Sequence, residues 1–335
     1  MKITNSHRVK LITTPSSDLL VVNAARVSFH KESWYLEDGS LRTEDQKLLN
    51  YLAKHAHITP FTHARETFSF EGDYKFDVEA LLHLGNPNTI NSMVYAEGLL
   101  DNNFCSFVRH SLFGWIHLIK LNTELNYPFF SEEDSYTIQV ILSKKYQGSM
   151  KAYEMYVEDD VLQISVQNVD VKSANIDIGD KLSHFIDYTV CEEIPISIAR
   201  QRFKHTVGHT YNEVSRRYVS DEPEIYIPLE WRMLAENKKQ GSLDEPCLLH
   251  DEVNQRVLDL LAQVVDLYNE MVDKNGKYKV CPEQARMILP QAMMTSYYVT
   301  ASESAFNRVI TQRSDSHAQK EIRDLADLLV GILPK

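Results

Sequence analysis

The stretch from Ile194 to Val219 limits the possible folds more than any other part of the chain. It reads Ile-Pro-Ile-Ser-Ile-Ala-Arg-Gln-Arg-Phe-Lys-His-Thr-Val-Gly-His-Thr-Tyr-Asn-Glu-Val-Ser-Arg-Arg-Tyr-Val. Between Arg200 and Arg217 it carries five Lys/Arg against a single acid, Glu213, in a protein of formal net charge -12. Self-repulsion among those cations opposes folding unless an anion offsets it. Pro195 suits the first turn of a helix running to about His205, Gly208 allows a turn, and Asn212 to Arg217 re-enters regular structure. Arginine forks, a lysine and hydroxyls gathered around a turn suit phosphate or carboxylate. A solvated basic face is the plainer alternative, but the interleaved Gln201, Asn212, Glu213 and Ser215 favour a binding site.

Composition narrows the class. At 335 residues, 43% hydrophobic and 24% charged, the chain is long enough to bury a core and fits one large or two modest domains. The longest apolar segment, Phe104 to Leu121, is broken by Arg109, His110, His117 and Lys120, which predicts a core helix and no membrane span. The polar start, Met1 to Lys10, does not resemble a signal peptide. Cys105, Cys191, Cys247 and Cys281 lie far apart without a Cys-x-x-Cys pair, which argues against zinc or a disulfide framework and for a reducing, cytoplasmic compartment. The acidic balance disfavours nucleic acid as a partner. Neither a Walker motif nor G-x-G-x-x-G is present, so no Rossmann dinucleotide site is expected.

Along the chain, Arg8–Ile12 reads as a short strand and Asp18–Phe29 as a helix after a Ser16-Ser17 cap cluster. Thr43 and Gln46 form a capping-box pattern for a helix over Thr43–His55. Ala64–Glu71 alternates as a half-buried strand with Phe68 and Phe70 on one face. Between Gly72 and Ile186 the patterns predict helices at Asp77–Leu84, Thr89–Leu100 and Phe104–Leu121, a turn at Gly85-Asn-Pro87 and a strand over Val161–Val171. Ser220–Pro228 is extended, Leu229–Gln240 reads as helix and Gly241–Pro246 as linker. Asp251–Lys274 is an amphipathic helix with Val257, Leu260, Leu261, Val264, Leu267, Tyr268 and Met271 inward. Helices at Pro282, Thr300–Gln312 and Ser316–Leu333 complete the chain.

The segment His55-Ala-His57-Ile-Thr59-Pro60-Phe61-Thr-His63 also carries chemistry. Three histidines at this spacing suggest a metal-dependent hydrolase, though no partner acid stands nearby and clustered surface histidines are commoner; no metal is expected.

The central stretch resembles the signature of flavin-dependent thymidylate synthases: Ala-Arg-Gln, then Arg-His-Arg, seven residues and Ser, within Asn-Glu-x-Ser-x-Arg-Tyr. Ala199-Arg200-Gln201 and Asn212 to Tyr218 match; Lys204-His205-Thr206 stands where Arg-His-Arg is expected, and eight residues precede Ser215. The histidine segment is similar to the family's His-x-His-x-Thr-Pro-Phe-x-His. Ala24 to Ser28, Ala285-Arg286-x-x-Leu289-Pro290 and Arg313-x-Asp-x-His317-Ala-Gln319 are similar to its opening and C-terminal motifs. The resemblance implies an α+β fold, a mixed sheet packed with helices. Residues 1–75 and 187–335 are expected to form its catalytic domain, while 76–186 lies outside the resemblance and reads as an insertion of unknown role, expected to pack on the scaffold as an independent unit. It implies reductive methylation of dUMP to dTMP with FAD as cofactor, methylenetetrahydrofolate and NADPH as co-substrates, and a homotetramer with shared sites. By position it assigns dUMP to Gln201, Arg202, Phe203, Lys204, Glu213, Val214, Ser215, Arg216, Arg217, Arg286 and Arg313, with Arg313 also catalytic. FAD falls to His57, Thr59, Lys204, His205, Thr206, Glu213, Ser302 and Arg308. The missing arginines at Lys204 and Thr206 leave an inactive nucleotide-binding relative as the alternative. Pro246-Cys247 resembles the Pro-Cys of cysteine-dependent thymidylate synthases, but its surroundings do not continue the match, so Cys247 is taken as incidental.

Overall fold

The computed structural model describes residues 1–72, 93–124, 129–158, 166–235 and 242–334. A four-stranded antiparallel sheet organises the chain, in the order Arg8–Ile12, Asp187–Pro195, Met294–Ser302, His209–Glu213. Period-two alternation puts Tyr188, Val190, Glu192 and Ile194 on one face, where they are buried with Tyr297, Val299 and Ala301. Helices Ile196–Arg202, Glu303–Arg313 and Lys320–Ile332 cover that face through Ile198, Phe306, Val309, Ile322, Leu325 and Leu329. The opposite face packs Tyr298 and Cys191 against Ala24 and Val27, from helix Asp18–Arg26 and the 3-10 turn Val27–Phe29 that follows it. The sheet is therefore enclosed between two helical layers.

A second, five-stranded antiparallel sheet has the order Val166–Asn168, Arg65–Glu71, Asn103–Ser111, Val94–Leu100, Ile176–Asp177. Two expectations fail here. Val94–Leu100 is a strand instead of the end of a helix, and Phe104–Leu121 divides into strand Asn103–Ser111 and helix Leu112–Glu124. The cause is the pair Asp101 and Asn102, both left-handed at φ 49° and 70°, which places Leu100 opposite Asn103. Two consecutive positive-φ residues joining paired strands make a tight hairpin, and Asp and Asn tolerate that conformation best after Gly. Apolar content alone could not separate this arrangement from a helix.

Strand Arg65–Glu71 lies inside the second sheet and, up to Phe70, is buried on both faces, not half-buried, because Trp115 stacks edge-on to Phe68 at 4.9 Å while Arg65 and Thr67 turn to the other side. Residues from both sides of position 72 build one core: Val21, Leu49, Phe61 and Phe68 pack with Trp115, Ile119, Ile138, Leu142 and Tyr146. The 93–158 segment is thus not an independent packing unit. The two sheets are also tied electrostatically. Arg65 donates to Asp187 at 2.8 Å and to the Thr300 carbonyl at 3.2 Å, and Arg109 reaches the same Asp187 carboxylate at 2.9 Å.

Other elements sharpen or overturn expectations. Helix Thr43–Lys54 forms, but its N-cap is Arg42 without a side-chain cap, so the capping box is not made. Leu229–Gln240 is not helical where described: Arg232–Leu234 pairs antiparallel with Ser242–Pro246, the stretch read as a linker, and the hairpin's hydrogen bonds override local helix propensity. Strand Met294–Ser302 runs through the start of the expected Thr300–Gln312 helix, which begins at Glu303. Helix His250–Val272 buries Leu261, Val265 and Tyr268, while Leu260 and Leu267 face outward at 61% and 44% exposure. The expected Asp77–Leu84 helix and Gly85-Asn-Pro87 turn lie outside the described residues, as does the first part of the Val161–Val171 strand. Among the described residues no helix is long and apolar enough to cross a membrane.

Because the core is shared, Trp115→Ala should destabilise the whole protein by about 3–5 kcal/mol, as large aromatic truncations do. Urea unfolding followed by fluorescence and by circular dichroism should show one coincident transition shifted to lower urea. Two separate transitions would contradict the common core.

Candidate functional site

The basic stretch is anchored from within. Arg202, the last residue of its short helix, is fully buried and holds the Glu192 carboxylate of the adjoining strand with three contacts at 3.0–3.1 Å. Its third nitrogen donates to the Tyr211 hydroxyl at 2.6 Å, and Tyr297 donates to Glu192. Burial opposes the Arg202 charge, but Glu192 and the two tyrosines hold its pKa above the ordinary arginine value. The Tyr211 hydroxyl donates in turn to the His205 carbonyl at 2.7 Å, which fixes the turn after the helix. Phe203 packs edge-on to Tyr211 and Tyr297 at 5.0 and 4.8 Å. Arg202, expected to touch the nucleotide, therefore stands buried behind the surface, and Phe203, expected there too, is half-buried against the same tyrosines.

At one end of strand His209–Glu213 a cationic cluster forms. Arg313 donates through Nε to His205 Nε2 at 2.9 Å and through a terminal nitrogen to the Gln201 carbonyl at 3.3 Å. Arg308 donates to the Val207 carbonyl at 2.9 Å, so its guanidinium sits on the same turn as the exposed Lys204 and Thr206. Burial, then Arg313, Arg202 and Arg308, push the His205 pKa down to about 4, so its imidazole stays neutral and remains an acceptor for Arg313. Gly208, at φ 78°, gives the turn its left-handed residue, and Arg65 donates to the Gly208 carbonyl at 3.2 Å.

At the other end lies a second cluster. Glu213 accepts from the Thr295 hydroxyl at 2.6 Å; crowding around the carboxyl raises its pKa, partly offset by Thr295 and Arg286. Ser28 donates to the Glu213 carbonyl at 2.9 Å, and the Ser215 amide donates to the Ser28 carbonyl at 3.1 Å. Arg217 donates to the Ser215 hydroxyl at 3.2 Å and lies over the Tyr218 ring. Val214 continues the sheet ladder to Ser296. Arg216 turns inward to Asp221 and is buried, so it closes the following loop instead of facing a ligand. Four residue steps of a strand separate the clusters by about 13 Å.

The histidine segment docks on the same strand. His63 is buried, with Nδ1 at 2.7 Å from the Thr300 hydroxyl and Nε2 at 3.2 Å from Asn212 Oδ1. Thr62 bonds Thr210 at 3.2 Å and the Thr59 carbonyl at 2.7 Å. His57 and Thr59 remain exposed, with His57 beside Tyr51 and His55. His63 thus points away from the other two histidines, and among the described residues no group of His, Cys, Asp or Glu is arranged to hold a metal. Ser302, expected at the flavin, is buried and caps helix Glu303–Arg313 by accepting from the Ala305 amide at 3.3 Å. Glu192, Tyr211 and Thr295 were not singled out from sequence, and their only signal is tertiary register; Ser28 closes the Ala24–Ser28 motif.

Among the described residues Arg200, Lys204, Arg217, Arg286, Arg308 and Arg313 have no carboxylate at ion-pair distance, unlike Arg8, Arg26, Arg65, Arg109, Arg202, Arg216 and Arg232. Of these, Lys204, Arg308 and Arg313 gather near one end of strand His209–Glu213 and Arg217 and Arg286 near the other, leaving in this α+β protein the uncompensated positive charge that suits anionic ligands. A family profile described as "Thymidylate synthase complementing protein" matches residues 10–75 and 182–335. A flavin-dependent thymidylate synthase of Aquifex aeolicus is 33% identical over 317 residues, 93% of each chain. Another, of Thermosipho africanus, is 32% identical over 145 residues, 42% of this chain and 60% of its own. Among solved structures, the UMP/dUMP methylase PolB from Streptomyces cacaoi aligns over 98% of this chain and 89% of its own at 16% identity, with a TM-score of 0.42. The chain belongs to the flavin-dependent thymidylate synthase family and is a flavin-dependent methyltransferase of nucleotide biosynthesis.

Burial first, and then the Arg65 charge, lower the His63 pKa from 6.5 to about 3. A histidine held neutral in the fold stabilises fully above its unfolded pKa, and that stability is lost as pH falls from about 6.5 towards 3. His110 and His209 are depressed in the same direction, to about 3 and about 2. His63→Gln should therefore lower stability at pH 7.5 yet flatten its acid limb by about one proton, roughly 1.4 kcal/mol per pH unit. Urea midpoints between pH 7.5 and 4 check this; parallel limbs in both proteins would refute it.

Proposed function

We propose that this protein makes dTMP from dUMP, taking the one-carbon group from methylenetetrahydrofolate and reducing equivalents from NADPH, with FAD as the cofactor. The observation that carries this is a set of five cations without carboxylate partners, Lys204, Arg308 and Arg313 near one end of strand His209–Glu213 and Arg217 and Arg286 near the other. A nucleotide phosphate suits one set of donors, at the Glu213 end: Ser215, Arg217 and Arg286. The second, Lys204, His205, Thr206 and Arg308 with Thr59 and His57 on the docked turn, fits the pyrophosphate and ring edges of FAD. Bound FAD supplies the redox chemistry; the protein's own groups bind, orient and stabilise charge. Arg308 brings a guanidinium to the turn on which Thr206 lacks one, which favours an active enzyme over an inactive relative. Gln201 and Arg313 stand between helix and turn, where they would meet the base. Arg202, Phe203, Arg216 and Ser302 support these groups without contact.

The separation of the clusters, and the outward Leu260 and Leu267 on helix His250–Val272, support a homotetramer in which neighbouring subunits complete each site. We place residues 1–75 and 187–335 in the catalytic part, 76–186 as its insertion, and the enzyme in the cytoplasm. The decisive test is an absorption spectrum of the purified protein followed by dUMP-dependent dTMP formation with NADPH and methylenetetrahydrofolate. A folded sample that takes up no FAD at micromolar concentration would end this reading.

Arg313 should act on turnover more than on binding. Transfer to carbon 5 needs an electron-rich uracil, and a planar, permanently charged guanidinium stabilises negative charge spread over the ring better than lysine does. Arg313→Lys should cost about 2–4 kcal/mol in total, mostly in the single-turnover rate, whereas Arg286→Lys should act mainly on the dUMP dissociation constant. Equal effects of both on binding alone would reduce Arg313 to an affinity residue.

A further inference from the structure

The hairpin Arg232–Leu234/Ser242–Pro246 belongs to none of the motifs, yet one of its side chains reaches Gln201, beside Arg313 and His205, through a line of polar groups. Arg232 donates to Ser242 at 2.7 Å and grips both oxygens of the Glu321 carboxylate at 2.8 and 3.0 Å. That carboxylate accepts from Gln319 Nε2 at 2.8 Å, and Gln319 Oε1 accepts from Gln201 Nε2 at 2.7 Å. Glu321 is buried; desolvation works against its charge, but Arg232 and Gln319 hold its pKa below the ordinary range, so it remains a carboxylate.

One end of this line sets the direction of every bond in it. A carboxylate only accepts. The end of Gln319 facing Glu321 is therefore its NH2, and its carbonyl faces Gln201. The end of Gln201 facing Gln319 is in turn its NH2, and Gln201 Oε1 is the atom left for a ligand. An unanchored amide can rotate to offer either end, but an anchored one discriminates.

We propose that Arg232, Glu321 and Gln319 are positioning residues that present Gln201 as a hydrogen-bond acceptor, selecting a pyrimidine with an N3–H, uracil, over one with a bare N3, cytosine. This rests on the assignment of Gln201 to the nucleotide site. Oε1 accepts from uracil N3–H, whereas against cytosine N3 two lone pairs face each other and neither is satisfied. The residues that set substrate choice thus include one from a hairpin that touches no ligand.

The test is calorimetric titration of dUMP and of dCMP into the FAD-loaded protein and its variants. In Gln319→Lys the new ammonium pairs with Glu321 and donates to Gln201, turning its NH2 outward. The dUMP-over-dCMP preference should fall at least about tenfold, a difference titration resolves readily. FAD affinity and the unfolding midpoint should stay near wild type. Arg232→Met, which frees Glu321, should erode the preference less, and Arg232→Lys should recover it. A Gln319→Lys protein with an unchanged preference, or one that loses both nucleotides in equal proportion, overturns the proposal. A wild-type protein that binds FAD but no dUMP removes the nucleotide assignment itself and the relay with it. If Arg232→Met does not fold, Gln319→Lys against Gln319→Met decides alone.

Discussion

The buried pair between Arg202 and Glu192 is the interaction on which the site depends. Moving both charges out of water costs several kcal/mol each, and the cost is offset only where every donor and acceptor is met. Here Glu192 receives Arg202 and Tyr297, and the remaining Arg202 nitrogen is taken by Tyr211, which in turn holds the His205 carbonyl. The pair thus specifies three things together: the register of the Asp187–Pro195 strand, the end of the basic helix, and the path of the turn that carries Lys204, His205 and Thr206. Loss of either partner alone would leave an uncompensated charge in the core, a penalty of about 3–5 kcal/mol.

A second ionic centre ties the two sheets. Asp187 opens the strand of the first sheet and receives Arg65 and Arg109 from the second. Burial lowers the Arg109 pKa to about 10, with Asp187 pulling back, so it is still a cation at neutral pH. Arg65 goes on to the carbonyls of Gly208 and Thr300. The 65–71 strand, enclosed by residues from beyond position 72, consequently presses the histidine segment onto the strand that carries Glu213. The positions of the two clusters at the ends of strand His209–Glu213 are a property of both sheets together.

The electrostatics of the site follow from keeping its histidines neutral among arginines. His63, His205 and His209 are all depressed by burial and by neighbouring cations. Neutral imidazoles keep lone pairs available, so His205 can orient Arg313 instead of repelling it. The positive charge left at the surface is then carried by guanidinium and ammonium groups that no acid has claimed, which is the condition for holding phosphates.

Much of this chemistry was legible in short motifs because the groups that define it are neighbours in the chain: Asn212 to Arg217, His57 to His63, and Arg313 to Gln319 each lie within a few residues. Helices with long apolar periodicity, such as His250–Val272, were legible for the same reason. The hairpins around Asp101-Asn102 and Arg232 were not, since an apolar or mixed run of that length fits a helix until a pairing partner is known. Nor could local pattern tell which cations of the basic stretch are free. Arg202 and Arg216 look like Arg200 and Arg217 in sequence, but strand register brings Glu192 beneath the first and the following loop brings Asp221 to the second. Residue types determined that this stretch would be rich in positive charge. Only the folded register decided which arginines the core would neutralise and which would stay without an acidic partner, because a buried charge must find its partner inside and an exposed one need not.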